Sequence, residues 1–176
     1  WQHVLDRYVR VVEPGVTSFD YATAKSDGSL GEGAVAAYVA AMVDLPIDQF
    51  NRDQQLAYWI NLYNALTVKV VLDHYPVASI RDIDISPGLF SSGPWGKKLI
   101  TVEGRTLSLD DIEHRILRPI WNDPRIHYAV NCASIGCPAL ASDAYQADVI
   151  DAQLDQAAKD FINHPQIGRA SCRERG

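Results

Sequence analysis

The chain has 176 residues, 47 % of them hydrophobic, a size and apolar content that suit one domain with one sizeable core. Its net charge of −6 comes with no basic patch, which excludes the electrostatic footprint of a nucleic-acid or anionic-lipid binder. No charge-free apolar run reaches the roughly 18 residues of a membrane span.

In chain order, Trp1, Val4, Leu5, Tyr8, Val9 and Val12 share one face at helical spacing, and Pro14-Gly15 ends that predicted helix. The chain opens without a charged-then-apolar leader, so any signal peptide is expected to have been removed or to lie outside it. After a turn at Asp27-Gly28, a second amphipathic helix carries Val35, Tyr38, Val39 and Met42 and closes at Pro46. Asn51-Arg-Asp-Gln54 is a capping box. The helix it starts runs to about Tyr75 and is apolar nearly all round, which predicts a buried central helix. Residues 87–98 form a Gly/Ser/Pro-rich loop whose composition suits phosphate but whose spacing is not that of a Walker loop. Residues 99–107 read as a hairpin around Glu103-Gly104, and Ser108 with Asp111 caps a helix ending near Arg118-Pro119. Residues 126–131 read as a strand and residues 144–161 as a final amphipathic helix. The predicted architecture is a mostly helical α/β (α+β) single domain, with the central helix packed on a small sheet.

The last ten residues, 167–176, share none of this periodicity. Their first nine match the translation of a common sequencing adapter, so the expected domain is 1–166, with 167–176 a non-native tail and the native C-terminus missing.

Five groups of polar residues are candidates for chemistry. Asn61 and Asn64 sit three apart on the central helix, where an unpaired buried amide costs about 1–3 kcal/mol; they either fix a neighbouring loop or face a ligand. Glu113 falls on the face defined by Leu109, Ile112 and Ile116, and Arg118 and Arg125 are the cations that could neutralise it. His114 lies toward that helix's edge. In strand alternation His127 points away from Ile126, Tyr128 and Val130, which makes it the leading titratable candidate. Asn131-Cys-Ala-Ser-Ile-Gly-Cys-Pro138 supplies Cys132 and Cys137, either as a disulfide, as buried thiols or as a nucleophile, and Ser134 as a further binding candidate. The Cys-x4-Cys spacing alone is no zinc site, and the chain shows no cofactor motif. The expected arrangement is one cluster of Glu113, His127 and the cysteine loop, with Asn61 or Asn64 beside it and the carboxylate raising the imidazole pKa.

Three segments together carry a family resemblance: Ala57-Tyr-Trp-Ile-Asn-Leu-Tyr-Asn-Ala-Leu66; Ser108-Leu-Asp-Asp-Ile-Glu-His114 with Leu117-Arg118; and Asp123-Pro-Arg-Ile-His127 leading to Cys132-Ala-Ser and Cys137-Pro138. They resemble the domain of unknown function 547 family from about Trp1 to Phe161. The resemblance implies no reaction. It implies bacterial relatives exported to the envelope, hence a periplasmic or extracellular setting, and a further helical segment beyond the present end. Two functions compete. One is a thiol hydrolase or acyl transferase of papain/transglutaminase type, although there the nucleophile usually opens the central helix, where this chain has asparagines. The other is a non-catalytic module that binds a small molecule, peptide, glycan or partner protein.

Overall fold

The computed structural model describes residues 1–88, 93–134 and 136–164. Its axis is helix α4 (Arg52–His74), of which 16 of 23 residues are buried, so every side of the helix meets protein. The predicted capping box is present: Asn51 Oδ1 accepts from the backbone of Asp53 and Gln54, and Gln54 Oε1 accepts from Asn51 N. The helix stops where Pro76 follows Tyr75. Ile60, Leu62 and Leu66 on α4 pack with Leu109, Ile112, Leu117 and Ile126 in the main core. Truncating any one of these to alanine is worth about 2–5 kcal/mol.

The N-terminal region departs from expectation. Helix α1 spans only Gln2–Tyr8, and Val9 and Val12 belong to strand β1 (Val9–Glu13), which pairs antiparallel with β2 (Val16–Phe19). Val9, Val11 and Val12 satisfy a period of two as readily as one of 3.6, and the β-branched run with Pro14-Gly15 as its turn decides for the hairpin. Gly15 takes a φ of +78° in that turn. Val11 and Val12 are exposed rather than facing a core. Helix α2 (Tyr21–Ser26), capped by Asp20, then leads to the expected helix α3 (Glu32–Val43), which buries Val35, Val39 and Met42. Gly31 lies so close to α2 that a Cβ there would meet the Ala24 carbonyl oxygen at 1.9 Å.

The second hairpin is as predicted: β3 (Ile100–Val102) pairs with β4 (Arg105–Leu107), and Glu103 and Gly104 both take positive φ, as a two-residue I′ turn requires. Val102 enters the main core beside α4, and the second small sheet packs there. Ser108 and Asp111 cap the following helix reciprocally.

That helix runs through residues 109–121, but its middle, Asp111–Leu117, is a π-helix, followed by α5 (Arg118–Trp121) and Asn122 in the left-handed conformation. A π-turn aligns residues five apart. The fully buried pair is therefore Ile112 and Leu117, while Ile116 is only partly buried. Residues 126–131 are not a strand. Helix α6 (Ile126–Ala129) forms there, and Val130 returns to extended backbone. Its start is written in Asp123-Pro124: Asp123 Oδ1 accepts from Arg125 N, and the Asp123 carbonyl accepts from Ile126 N. The closing helix α7 (Ile150–Asn163) begins six residues later than expected, because Tyr145 is drawn into the core by α4.

Candidate functional site

The two central asparagines are fully engaged by backbone. Asn61 Nδ2 donates to the Tyr145 carbonyl at 2.8 Å while its Oδ1 accepts from Tyr145 N at 2.9 Å. Asn64 Nδ2 donates to the Ala129 carbonyl at 2.9 Å, and its Oδ1 accepts from Asn131 N at 2.8 Å. Each amide takes the place of a neighbouring strand and satisfies one N–H and one C=O that burial would otherwise leave unpaired. Asn61 thus fixes the approach to α7, and Asn64 fixes the exit from α6. Both amides are engaged by protein backbone.

Above α6 the π-turn assembles a second polar group. Because the turn advances five residues, Arg118 falls directly over Glu113, and its backbone N–H bonds the Glu113 carbonyl. Its guanidinium donates to Glu113 Oε1 through Nε at 3.1 Å and Nη2 at 2.6 Å, and Tyr63 OH donates to Glu113 Oε2 at 3.3 Å. Nη2 also donates to His127 Nδ1 at 3.3 Å. Since a guanidinium only donates, Nδ1 is the accepting nitrogen and the neutral ring carries its proton on Nε2. Glu113 and His127 are therefore neighbours, but through Arg118 rather than directly. The rings of Tyr128 and Phe161 lie against the imidazole. Partial burial pushes the His127 pKa down, the Arg118 charge adds to that, and Glu113 only opposes it. The expected rise is corrected to a fall, because burial of the ring, and after it the neighbouring Arg118 cation, outweigh the carboxylate. Arg125 is elsewhere: it ties Asp123 at 2.7 Å to Asp151 at 2.7 Å and Asp155 at 2.5 Å, clamping the start of α6 to α7. His114 is exposed.

The cysteines form a disulfide, with Cα atoms 6.1 Å apart, so in this form neither sulfur is a nucleophile. Asn131 closes the same loop, its Oδ1 accepting from Ala133 N and its Nδ2 donating to the Pro138 carbonyl. Cys137 and Ser134 line a cleft of about 420 Å³ with Phe19, Tyr21 and His164. His127 and Glu113 are not among the described residues that line it. Asn64 bonds α6 on one side and the first residue of the cysteine loop on the other. His164 was not foreseen; it follows the last helix and no pattern marks it. A second cleft, of about 240 Å³, shares Gly15, Thr17, Ala139 and Leu140 with the first and adds Tyr128, Phe161, Asp143 and Asp160. Thr17 Oγ1 donates to the Leu140 carbonyl at 2.6 Å, a contact between two of the shared wall residues.

Among the described residues no three or more His, Cys, Asp or Glu side chains are arranged to hold a metal ion, and no helix is long and apolar enough to cross a membrane. Ser91 and Ser92 of the glycine-rich loop, and residues 167–176, lie outside the described residues. The chain matches the family model described as "Protein of unknown function, DUF547" over residues 47–162. No curated protein and no solved structure matches it.

Proposed function

The chain belongs to the DUF547 family, and from that premise we propose that it is a binding module whose ligand is an extended peptide seated in the paired clefts beside the β1–β2 hairpin. The carrying observation is that the two clefts share a wall at Gly15, Thr17, Ala139 and Leu140. Two lobes meeting at one wall suit a peptide that places one side chain in each. Phe19 and Tyr21 in one lobe and Tyr128 and Phe161 in the other offer apolar surface to such anchors. Glu13, Asp143 and Asp160 at the lining favour a neutral or basic segment over an acidic one. The polar residues that would otherwise suggest catalysis are spent within the fold: Asn61 and Asn64 on backbone, Glu113 on Arg118 and Tyr63. A disulfide suits an oxidising compartment, so the periplasm or the cell exterior is the proposed setting.

The test is a peptide-array screen followed by titration calorimetry with the intact chain and with Ala139→Trp, which fills the shared wall. Selected basic or neutral peptides should lose at least about tenfold in affinity in the variant. Failure of every peptide to bind, or undiminished binding by a folded Ala139→Trp, would overturn the reading.

A thiol hydrolase or acyl transferase is the second reading, favoured by one fact: Cys137 and His164 line the same cleft. It requires the disulfide to be reduced and His164 to accept the proton of the Cys137 thiol, leaving the nucleophilic thiolate. Mild reduction followed by iodoacetamide and acyl-probe labelling should then modify Cys137 ahead of Cys132, and less so in His164→Ala. Equal labelling of both cysteines, indifferent to His164, would remove this reading.

A further inference from the structure

We propose that a third cleft, between the β3–β4 hairpin and the π-helix, binds a small organic oxyanion with a flat apolar body: an aryl carboxylate or an aryl phosphate monoester. The cleft measures about 650 Å³ and shares no lining residue with the paired clefts. Three cations line it, Lys98, Arg105 and Arg115, against two carboxylates, Glu103 and Asp111. A positive excess in one cavity is unexpected in a chain of net charge −6.

The charges are placed rather than scattered. The Asp111 side chain is only 8 % exposed, and Ser108 holds its Oδ2 through both the backbone N–H and the hydroxyl. Lys98 Nζ pairs with the same oxygen, and Arg115 Nη1 lies 3.3 Å from Oδ1. One buried carboxylate therefore pairs with two solvent-exposed cations that line the cleft. Its single charge neutralises only one of them. Arg105, on β4, makes no ion pair among the described residues, and its guanidinium retains the capacity for a bidentate bond to an oxyanion. Glu103 Oε1 is engaged by the Asp48 backbone N–H at 3.3 Å. Trp59 forms part of the wall with Ile116 and Ile120, which gives the anion's body an apolar surface to cover. Charged and apolar residues lining one cleft select a ligand that has both characters, and disfavour a bare ion or a neutral aromatic.

The probes are 2-naphthoate, 1-naphthyl phosphate and uncharged 2-naphthol, titrated into the intact chain and followed by calorimetry and by Trp fluorescence. At least one anion should bind, about tenfold or more tightly than 2-naphthol, and added salt should weaken it. Preference between the two anions identifies the carboxylate or the phosphate as the natural head group. Arg105→Glu should reduce anion affinity about tenfold or more while leaving 2-naphthol unchanged; Arg115→Glu, on a side chain 79 % exposed, gives a second variant that should fold. Both variants should retain any peptide binding at the paired clefts. Absence of anion binding at millimolar concentration, equal binding of 2-naphthol, or indifference to both substitutions in folded protein would overturn the proposal.

Discussion

Helix α6 is gripped from two sides, and the two grips differ in kind. From beneath, Asn64 of α4 bonds the Ala129 carbonyl and the Asn131 N–H in a region closed to water. From outside, Arg118 reaches His127 at 3.3 Å, with 45 % of the arginine side chain exposed. Both look like polar networks around a histidine helix. They should contribute differently, because an unmade buried hydrogen bond has no water to replace it, whereas the half-exposed guanidinium of Arg118 can be hydrated when its bond to His127 is unmade. The same contrast separates Asn61, under the approach to α7, from the Arg125 clamp at the surface.

The buried grip should show the largest effects. Asn64→Leu keeps a good helix former in place but strands one donor and one acceptor, so it should cost about 2–4 kcal/mol in urea unfolding. Asn61→Leu, which strands Tyr145 N and O, should cost slightly less, at its slightly greater exposure. Asn64→Asp sharpens the comparison: its carboxylate can still accept from Asn131 N but cannot donate to Ala129 O. A change below about 0.5 kcal/mol for Asn64→Leu would show that α6 does not depend on the seam beneath it.

Asp111 should come next. Burial pushes its carboxyl up, but Lys98 and the two Ser108 donors outweigh that and hold it at about 2. A carboxyl lowered on folding stabilises the protein above its unfolded pKa of 3.8, and that contribution is lost as pH falls from about 4 toward 2. The linked stability is about 2 kcal/mol. Asp111→Asn should lose roughly that much at pH 7 and should flatten the acid limb of the stability profile. An unchanged acid limb would place the titration elsewhere.

The parts of this molecule that were legible in sequence are those whose signals are local and chemically explicit. Asn51 with Gln54, Ser108 with Asp111 and Glu103-Gly104 each announce a hydrogen-bonding geometry within four residues. The all-round apolar character of residues 56–72 likewise leaves α4 no place but the centre. The π-turn was not legible, because a face drawn at 3.6 residues per turn includes Ile116 and misses Leu117. Glu113 and Arg118 could be matched by charge, but their five-residue spacing is not a helical neighbour relation. Helix α6 was obscured by Ile126, Tyr128 and Val130, which alternate as a strand would; Asp123-Pro124 was the competing signal. At the candidate site, the pairing of Cys132 with Cys137 stood as one of several readings because spacing cannot measure a distance. His164 had no signal, since it joins Cys137 only as part of the lining of one folded cleft.

The outer grip should give the smallest stability change and the most specific signature. Arg118→Ala and Glu113→Gln should each cost about 1 kcal/mol, less than the asparagine variants, because the arginine side chain is 45 % exposed even though the glutamate is 14 % exposed. Their effects on His127 should have opposite signs. Arg118 lowers the imidazole pKa, so Arg118→Ala should raise it, the more so because Glu113 is left without its cation. Glu113 raises it, so Glu113→Gln should lower it further below the ordinary 6.5. The stability profile should follow. A histidine whose folded pKa is depressed contributes stability that is complete above its unfolded value and declines as pH falls through the folded one. Arg118→Ala should therefore weaken the decline in stability below pH 6.5, and Glu113→Gln should extend it to lower pH. Ring-proton chemical shifts of His127 across a pH titration read the two pKa changes directly. An unshifted pKa in both variants would mean that burial against Tyr128 and Phe161 alone sets the histidine, and that Arg118 touches it without governing it.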